Sequence, residues 1–286
     1  MGDDWQSIYR FAGSDIEVIT QFESHFGVTA TNYLTQTFRS NQGITDIAAG
    51  FVQKNPSQKN KRVEAKDPKS DGVVVIRRYT TLEDMDGVCR ECLEEIAKVV
   101  PPGDRASVFL LARYKLQKPQ AHDEWQGEFP SLNITFRTAH SSKGLEADYV
   151  IVLGLHTGNY AFPSEISDDP LLQLVMPQAE SFPNAEERRL FYVAMTRARH
   201  GVYLLGSRYL PSAFITELEE DNRSSTTVRF ARAATVTGNA KGLTAIETCP
   251  ECRQGALIER KGKFGDFFGC SNYPNCKYTR AVTQKE

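Results

Sequence analysis

No GxxxxGK[ST] phosphate cradle occurs anywhere in the 286 residues, and no strand-like run ends in the acidic pair that would hold Mg2+ beside one. A chain of this sequence therefore has no self-contained site for splitting a nucleoside triphosphate, and by itself it is expected to be inactive toward one. Long apolar runs are also missing. VVVI at 73–76 and YVIVLGL at 149–155 are only strand-sized, and the opening MGDDWQ has neither a basic cluster nor an apolar signal region. No membrane segment is expected, and a cytoplasmic location is. Cysteine is sparse: four of the six sit in one tail cluster, which suits metal ligands in a reducing compartment better than a secreted disulfide framework. Internal repeats and low-complexity stretches are absent.

What is there is ordinary for a folded chain, 40% hydrophobic and 24% charged, enough for one large or two modest domains. The net charge of −2 hides an asymmetry: residues 223–286 hold 11 Lys+Arg against 5 Asp+Glu, leaving −8 for residues 1–222. A basic tail points to a polyanionic partner. Along the chain, GDDWQSIYRFAGSD at 2–15 opens without a preceding strand, as though cut from something longer. Apolar periodicity predicts a helix over 16–26, TNYLTQTFRS at 31–40 alternates like a strand entering a loop, and 45–52 reads as helix. Residues 54–71 form a polar, proline-bounded loop. Then VVVIRRY at 73–79 predicts a buried strand, 82–100 a helix closed by Pro101-Pro102-Gly103, and SVFLLAR at 107–113 another strand. After a polar excursion at 115–130 come strands at 133–138, 148–155 and 201–207. Near-continuous apolar strands alternating with helices predict an α/β fold, a parallel sheet with helices on both faces.

Between the last two strands lies EERRLFYVAMTRA at 186–198. At 100° per residue Leu190, Phe191, Val193, Ala194, Met195 and Ala198 share one face, while Arg188, Arg189, Tyr192 and Thr196 point away. Arg197 falls at the margin of the apolar stripe, where a cation needs an anion; the bland alternative is a rim arginine whose stem covers apolar surface. The loop carrying Thr138, His140, Ser141, Ser142, Lys143, Gly144 and Glu146 joins two strands. Its hydroxyls, cation and glycine backbone suit phosphate, and its carboxylate suits a ribose or a metal-bound water. In parallel sheets ligands bind past the carboxyl ends of strands, and these residues are expected there.

Taken in order, GDDWQSIYRF, QTFRSN, TAHSSKGLEAD and EERRLFYVAMTRA resemble the later motifs of superfamily 1 helicases of the UvrD/Rep kind, covering most of residues 2–207. The resemblance implies a RecA-like second helicase domain, with ATP and Mg2+ held between it and a first domain that supplies the missing cradle. It implies that Gln6 senses the γ-phosphate, that Arg39 and Arg197 are arginine fingers, and that Lys143, Gly144 and Glu146 contact nucleotide, Glu146 at the ribose. Phe38 stands where the family usually has an adenine-stacking tyrosine. Tyr9 and Phe11 match aromatics that stack on single-stranded DNA bases, and Thr138 and His140 match residues between nucleotide and strand. Ala12 departs from an arginine common at that place. Only about a hundred residues separate Arg39 from Thr138, which leaves no room for the large helical insertion many relatives carry.

The tail holds Cys249-Pro-Glu-Cys252, then Cys270 and Cys276. Two cysteine pairs from two short knuckles predict a closed, structural Zn2+ site. Phe264, Phe267, Phe268, Tyr273 and Tyr278 interleave with Arg260, Lys261, Lys263 and Lys277. Aromatics with cations suit single-stranded nucleic acid, although some rings must fill so small a core. CPECRQGALIERKGKFGDFFGCSNYPNC is similar to the zinc ribbon at the C-terminus of type IA topoisomerases, which implies DNA-binding roles for Phe267, Phe268, Lys261 and Lys263. Cys89 and Cys92 lie within a helix and read as structural. The expected organisation is thus the end of a first RecA-like domain at 1–24, a second RecA-like domain at 25–220, a linker at 221–242 and a four-cysteine zinc ribbon at 243–286. The function expected is the C-terminal portion of an ATP-dependent DNA helicase or translocase, whose partners are ATP, its own N-terminal half, and single strands, junctions or duplex ends. The competing reading is a non-catalytic single-strand-binding module derived from a helicase.

Overall fold

The apolar runs become strands because both of their faces are covered, and the register of a parallel sheet fixes which residue meets which layer. The computed structural model describes residues 2–66, 73–223, 225, 227–230, 249–252, 257–262, 265–270 and 276–281. In chain order the strands are β1 (Gln36–Thr37), β2 (Glu64–Ala65), β3 (Val73–Tyr79), β4 (Ala106–Ala112), β5 (Leu132–Thr138), β6 (Ala147–Leu155), β7 (Ala198–Ser207), β8 (Val228–Phe230), β9 (Leu257–Gly262), β10 (Gly265–Cys270) and β11 (Thr279–Ala281). The helices are α1 (Glu17–Thr20), α2 (Phe22–Phe26), α3 (Gln42–Val52), α4 (Leu82–Val99), α5 (His122–Glu128), α6 (Pro170–Gln173), α7 (Ala185–Met195) and α8 (Ala213–Asp221). The chain divides into two compact units, Met1–Ala231 and Arg232–Glu286.

In the first unit six strands form one sheet in the order β5-β4-β6-β7-β3-β8, and every neighbouring pair is parallel. Successive residues of β6 serve opposite layers. Val150 and Val152 join a core with Ile44 and Phe51 of α3, Leu190 and Phe191 of α7 and Phe214 of α8. Ile151 and Leu153 join one with Cys89, Cys92 and Leu93 of α4 and Trp125 of α5. The α/β sheet covered on both faces is therefore as the sequence predicts. Two helix starts are set by side-chain caps. Asn41 Oδ1 accepts from Ile44 N at 3.0 Å at the start of α3, and Thr81 and Asp84 exchange side-chain and backbone bonds at the start of α4.

Four local expectations change. The helix over 16–26 is two short ones broken at Gln21, with Phe22 and Phe26 43% and 62% exposed, since among the described residues no layer lies against their apolar face. Among the described residues the alternating stretch at 31–40 pairs only through Gln36–Thr37, with Glu64–Ala65. The excursion at 115–130 contains α5, which buries Trp125, and α8 follows β7 from its Ser212 cap. Finally, α7 has no solvated back. Arg188, Arg189, Tyr192 and Thr196 are all buried, because the loop around Glu180, helix α8 and the N-terminal segment close over the side that the periodicity leaves polar. That segment joins the same core through Trp5 and Ile8, both fully buried.

The second unit, where described, is a three-stranded antiparallel sheet in the order β11-β10-β9. Within the expected 221–242 linker, Val228–Phe230 is instead strand β8, paired with β3 at the edge of the sheet; residues 231–242 lie outside the described residues, as do Lys263, Phe264 and Tyr273.

Candidate functional site

Eight residues, 139–146, carry the chain from the last residue of β5 to the first of β6. Because β5 and β6 run parallel within one sheet, this connection crosses from the carboxyl edge to the amino edge. It begins with a 3-10 turn at His140–Ser142, held by Thr138, whose hydroxyl accepts from Ser141 N at 3.3 Å. Gly144 then takes φ 85°, the left-handed region a side chain resists. The expectation that the interesting residues sit past the carboxyl ends is met by Thr138, which ends β5. It fails for Glu146 and Arg197, which directly precede β6 and β7 and so lie at the amino edge.

At the amino edge Arg39 and Glu146, 107 residues apart, meet through Arg39 Nε at 3.2 Å from Glu146 Oε2. Arg199 also pairs with Glu146, and these two arginines hold the Glu146 carboxyl below its ordinary range, Arg199 more strongly. The loop bearing Arg39 is fixed to the turn after α7. Ser40 Oγ donates to Thr196 O at 3.2 Å, and Asn41 Nδ2 donates to Arg199 O at 3.0 Å. Phe38 on the same loop is 72% exposed, with Lys66 Nζ 5.1 Å above its ring.

Arg197 is 1% exposed. Its guanidinium donates to carbonyls, Val193 O at 2.9 Å and Leu145 O at 3.2 Å, and among the described residues no carboxylate forms an ion pair with it. Burial, and next the charge of Arg39, lower its pKa to about 10, so it stays protonated at neutral pH. A buried cation whose direct partners are carbonyl and hydroxyl dipoles is a strong site for an anion.

A second cluster gathers the N-terminal segment onto the 139–146 connection. Lys143 Nζ donates to Gln6 O at 2.8 Å and lies 4.9 Å from the Tyr9 ring centre. Burial lowers the Lys143 pKa. The Gln6 side chain itself donates to Asp3. Phe11, 59% exposed, meets the His140 ring edge-on at 5.5 Å, and Tyr9 meets Phe11 at 5.9 Å. Burial and then Arg113 push the His140 imidazole down to about 4, so the ring is neutral at pH 7. Gln6, Tyr9, Phe11, His140 and Lys143 thus come together, as do Arg39, Glu146 and Arg197.

Several contacts that hold the segments around this site carry little signal in the sequence. Lys61, in the loop expected to be solvated, reaches Asp3 and Asp4 and covers the Trp5 ring at 4.4 Å. Arg188 forks onto Glu217 at 2.6 and 2.8 Å between the rings of Phe51 and Phe182, and Arg189 pairs with Glu180. Helical periodicity alone places both arginines outward, and only their tandem position in EERR hints at partners on two sides.

In the second unit the Sγ atoms of Cys249, Cys252, Cys270 and Cys276 all lie within 4.8 Å of one another, Cys249 to Cys276 at 3.8 Å and Cys252 to Cys270 at 3.5 Å. A tetrahedral Zn2+ with Zn–S bonds of about 2.3 Å needs sulfur separations of roughly 3.8 Å, so this donor set fits zinc. Phe268 packs against the cysteines with Arg280 5.4 Å from its ring centre, and Phe267, its neighbour on β10, stands on the other face. Lys261 lies on β9, opposite Asp266. Cys89 and Cys92 are fully buried in the α4 layer, and burial raises both thiols, Cys92 to about 12, as befits apolar packing.

Residues 109–209 match the UvrD-like helicase C-terminal domain, and residues 246–285 match the topoisomerase DNA binding C4 zinc finger. DNA helicase IV of Escherichia coli (strain K12) is 36% identical over 219 residues, 77% of this chain and 31% of that protein. A probable DNA helicase of Mycoplasma pneumoniae is 26% identical over 233 residues, 78% of this chain and 42% of that protein. The tail is 55% identical over 38 residues to DNA topoisomerase 1 of Zymomonas mobilis, covering 13% of this chain and 3% of that one. The chain therefore spans less than half the length of the helicases it matches.

Proposed function

This chain carries a UvrD-like helicase C-terminal domain followed by a topoisomerase-type C4 zinc ribbon, and we propose that it serves as the C-terminal portion of an ATP-dependent DNA helicase or translocase. In this reading a partner domain supplies the P-loop and Mg2+, and the amino edge of the sheet supplies the charges that answer the γ-phosphate. Arg197 and Arg39 act as arginine fingers, Gln6 senses the γ-phosphate, Lys143 and Gly144 approach the phosphates, Glu146 the ribose, and Phe38 stacks on the adenine. The observation that carries the proposal is Arg197, a protonated guanidinium 1% exposed, hydrogen-bonded to the Val193 and Leu145 carbonyls and forming no ion pair among the described residues. A transferring phosphoryl group provides that anion, with charge on its equatorial oxygens that a planar fork can follow. Before nucleotide arrives Arg39 rests on Glu146, so binding must exchange one anionic partner for another.

Single-stranded DNA is the second ligand. Tyr9, Phe11 and His140 offer ring surface near Thr138, and a neutral His140 stacks or donates without adding phosphate-binding charge. The ribbon holds the strand through Phe267, Lys261 and Lys263, with Phe268 shared between strand and core. The test is Arg197→Ala in the full-length protein. Hydrolysis should fall by about 10³ or more, the range measured for arginine fingers, while nucleotide affinity stays within a few-fold. Wild-type turnover in that variant would remove Arg197 from the role and with it the main support for the reading.

A further inference from the structure

Residues 5–10 run antiparallel along α7, joined to it by three contacts spaced three residues apart on the helix. Trp5 meets Tyr192 edge-on with ring centres 5.4 Å apart, Ser7 O accepts from Arg189 Nε at 2.6 Å, and Arg10 N donates to Glu186 Oε1 at 3.0 Å. Residues 186, 189 and 192 follow one another along one side of a helix. On its other side the segment is held by the 59–61 loop: Lys59 N donates to Asp4 Oδ2 at 2.8 Å, and Trp5 Nε1 donates to Lys59 O at 3.1 Å. Arg189 is the buried charged member of the series, 2% exposed, with Glu180 neutralising its Nη1 arm. Its Nε arm grips the main chain between Gln6 on one side and Tyr9 and Phe11 on the other. The same helix leads, two residues past its end, to Arg197.

Resting on the helicase reading, we infer that Arg189 is a positioning residue that couples the single-strand contacts of Tyr9 and Phe11 to the nucleotide contacts of Gln6 and Arg197 by holding the Ser7 carbonyl on α7. It touches neither ligand. A strand that pulls on Tyr9 or Phe11 loads the segment at Ser7, and a segment fastened there moves with α7 and not independently of it. Lysine cannot replace the arrangement, because one ammonium cannot present two fixed arms to Ser7 and Glu180.

The experiment uses the full-length protein and separates the two arms. Glu180→Gln removes the anion and leaves the Ser7 contact. The double variant Glu180→Gln with Arg189→Gln removes the contact without leaving a carboxylate buried alone. Readouts are melting temperature, basal ATP hydrolysis, KM for ATP, affinity for an oligo-dT single strand, and the ratio of oligo-dT-stimulated to basal hydrolysis. Glu180→Gln should melt lower yet keep its stimulation ratio within about twofold. The double variant should keep basal rate, KM and oligo-dT affinity within about threefold but lose roughly tenfold or more of the stimulation, within the usual size of coupling between two sites. Glu186→Ala, at a more exposed contact of the same series, should also lower the ratio and serves where the double variant folds poorly. The inference is overturned if the double variant or Glu186→Ala keeps the full ratio, or if Glu180→Gln alone loses as much as the double. A wild-type protein with no oligo-dT-stimulated hydrolysis overturns the helicase reading itself, a result distinct from any pattern among the variants.

Discussion

Arg197 is buried and His140 half-buried, and desolvation leads to opposite protonation outcomes at the two. Arg197 starts so high that a pKa of about 10 leaves it charged, whereas His140, brought down to about 4, gives up its proton throughout the physiological range. The histidine has a consequence for acid stability. Its folded pKa lies below the value of about 6.5 expected in the unfolded chain, so below pH 6.5 the unfolded state binds the extra proton. The stability this group contributes is fully present above pH 6.5 and is lost as pH falls toward 4. After allowance for the water that reaches the ring, the loss should be about 1–2 kcal/mol. Comparing His140→Gln with wild type by thermal melting at pH 7.5 and pH 5 should show a smaller drop for the variant. Equal drops would mean that the imidazole titrates normally in the fold.

At the scale of elements, legibility followed how many partners each element has. Strands β3, β4, β6 and β7 were legible because two covered faces leave near-continuous apolar runs, and α4 because one apolar side faces one layer. Helix α5 was missed since Trp125 is its single large apolar residue and one side chain sets no period. Arg188 and Arg189 misled for the opposite reason: periodicity assumes water on the back of α7, where Glu217 and Glu180 stand instead. The four motif segments could be picked out in the sequence, but the meeting of Arg39, Glu146 and Arg197 at the amino edge of the sheet could not, because it depends on the 139–146 crossover. The ribbon strand β10 shows the same limit. Phe267 and Phe268 are alike in sequence, yet alternation sends Phe268 toward the cysteines and Phe267 to the other face. Phe268→Ala should therefore loosen the ribbon and its zinc, while Phe267→Ala should keep zinc and weaken single-strand binding by about 1–3 kcal/mol for a stacked base. Zinc content measured beside oligo-dT affinity distinguishes them, and zinc loss from Phe267→Ala would make both rings core.

For the whole molecule, the two units differ in what holds them together. Residues 1–231 bury two extensive apolar layers against one sheet, and no described helix is long and apolar enough to cross a membrane. Among its described residues the ribbon gathers little beyond four cysteines, Leu257, Phe268 and Tyr278. Ordering a backbone costs about 1–2 kcal/mol per residue, which so small a cluster does not offset alone. Structural zinc contributes roughly 10–16 kcal/mol in comparable peptides, so metal binding and folding of this unit are one event. Metal analysis should find about one zinc per chain. A strong chelator, or the double substitution Cys249→Ser and Cys252→Ser, should unfold the ribbon and leave the melting transition of the first unit where it was. Hydrogen exchange resolves the two units separately: the ribbon amides should lose protection while those of β4, β6 and β7 keep theirs. Loss of protection in both would show that the first unit also depends on the metal, and that its two layers do not suffice on their own.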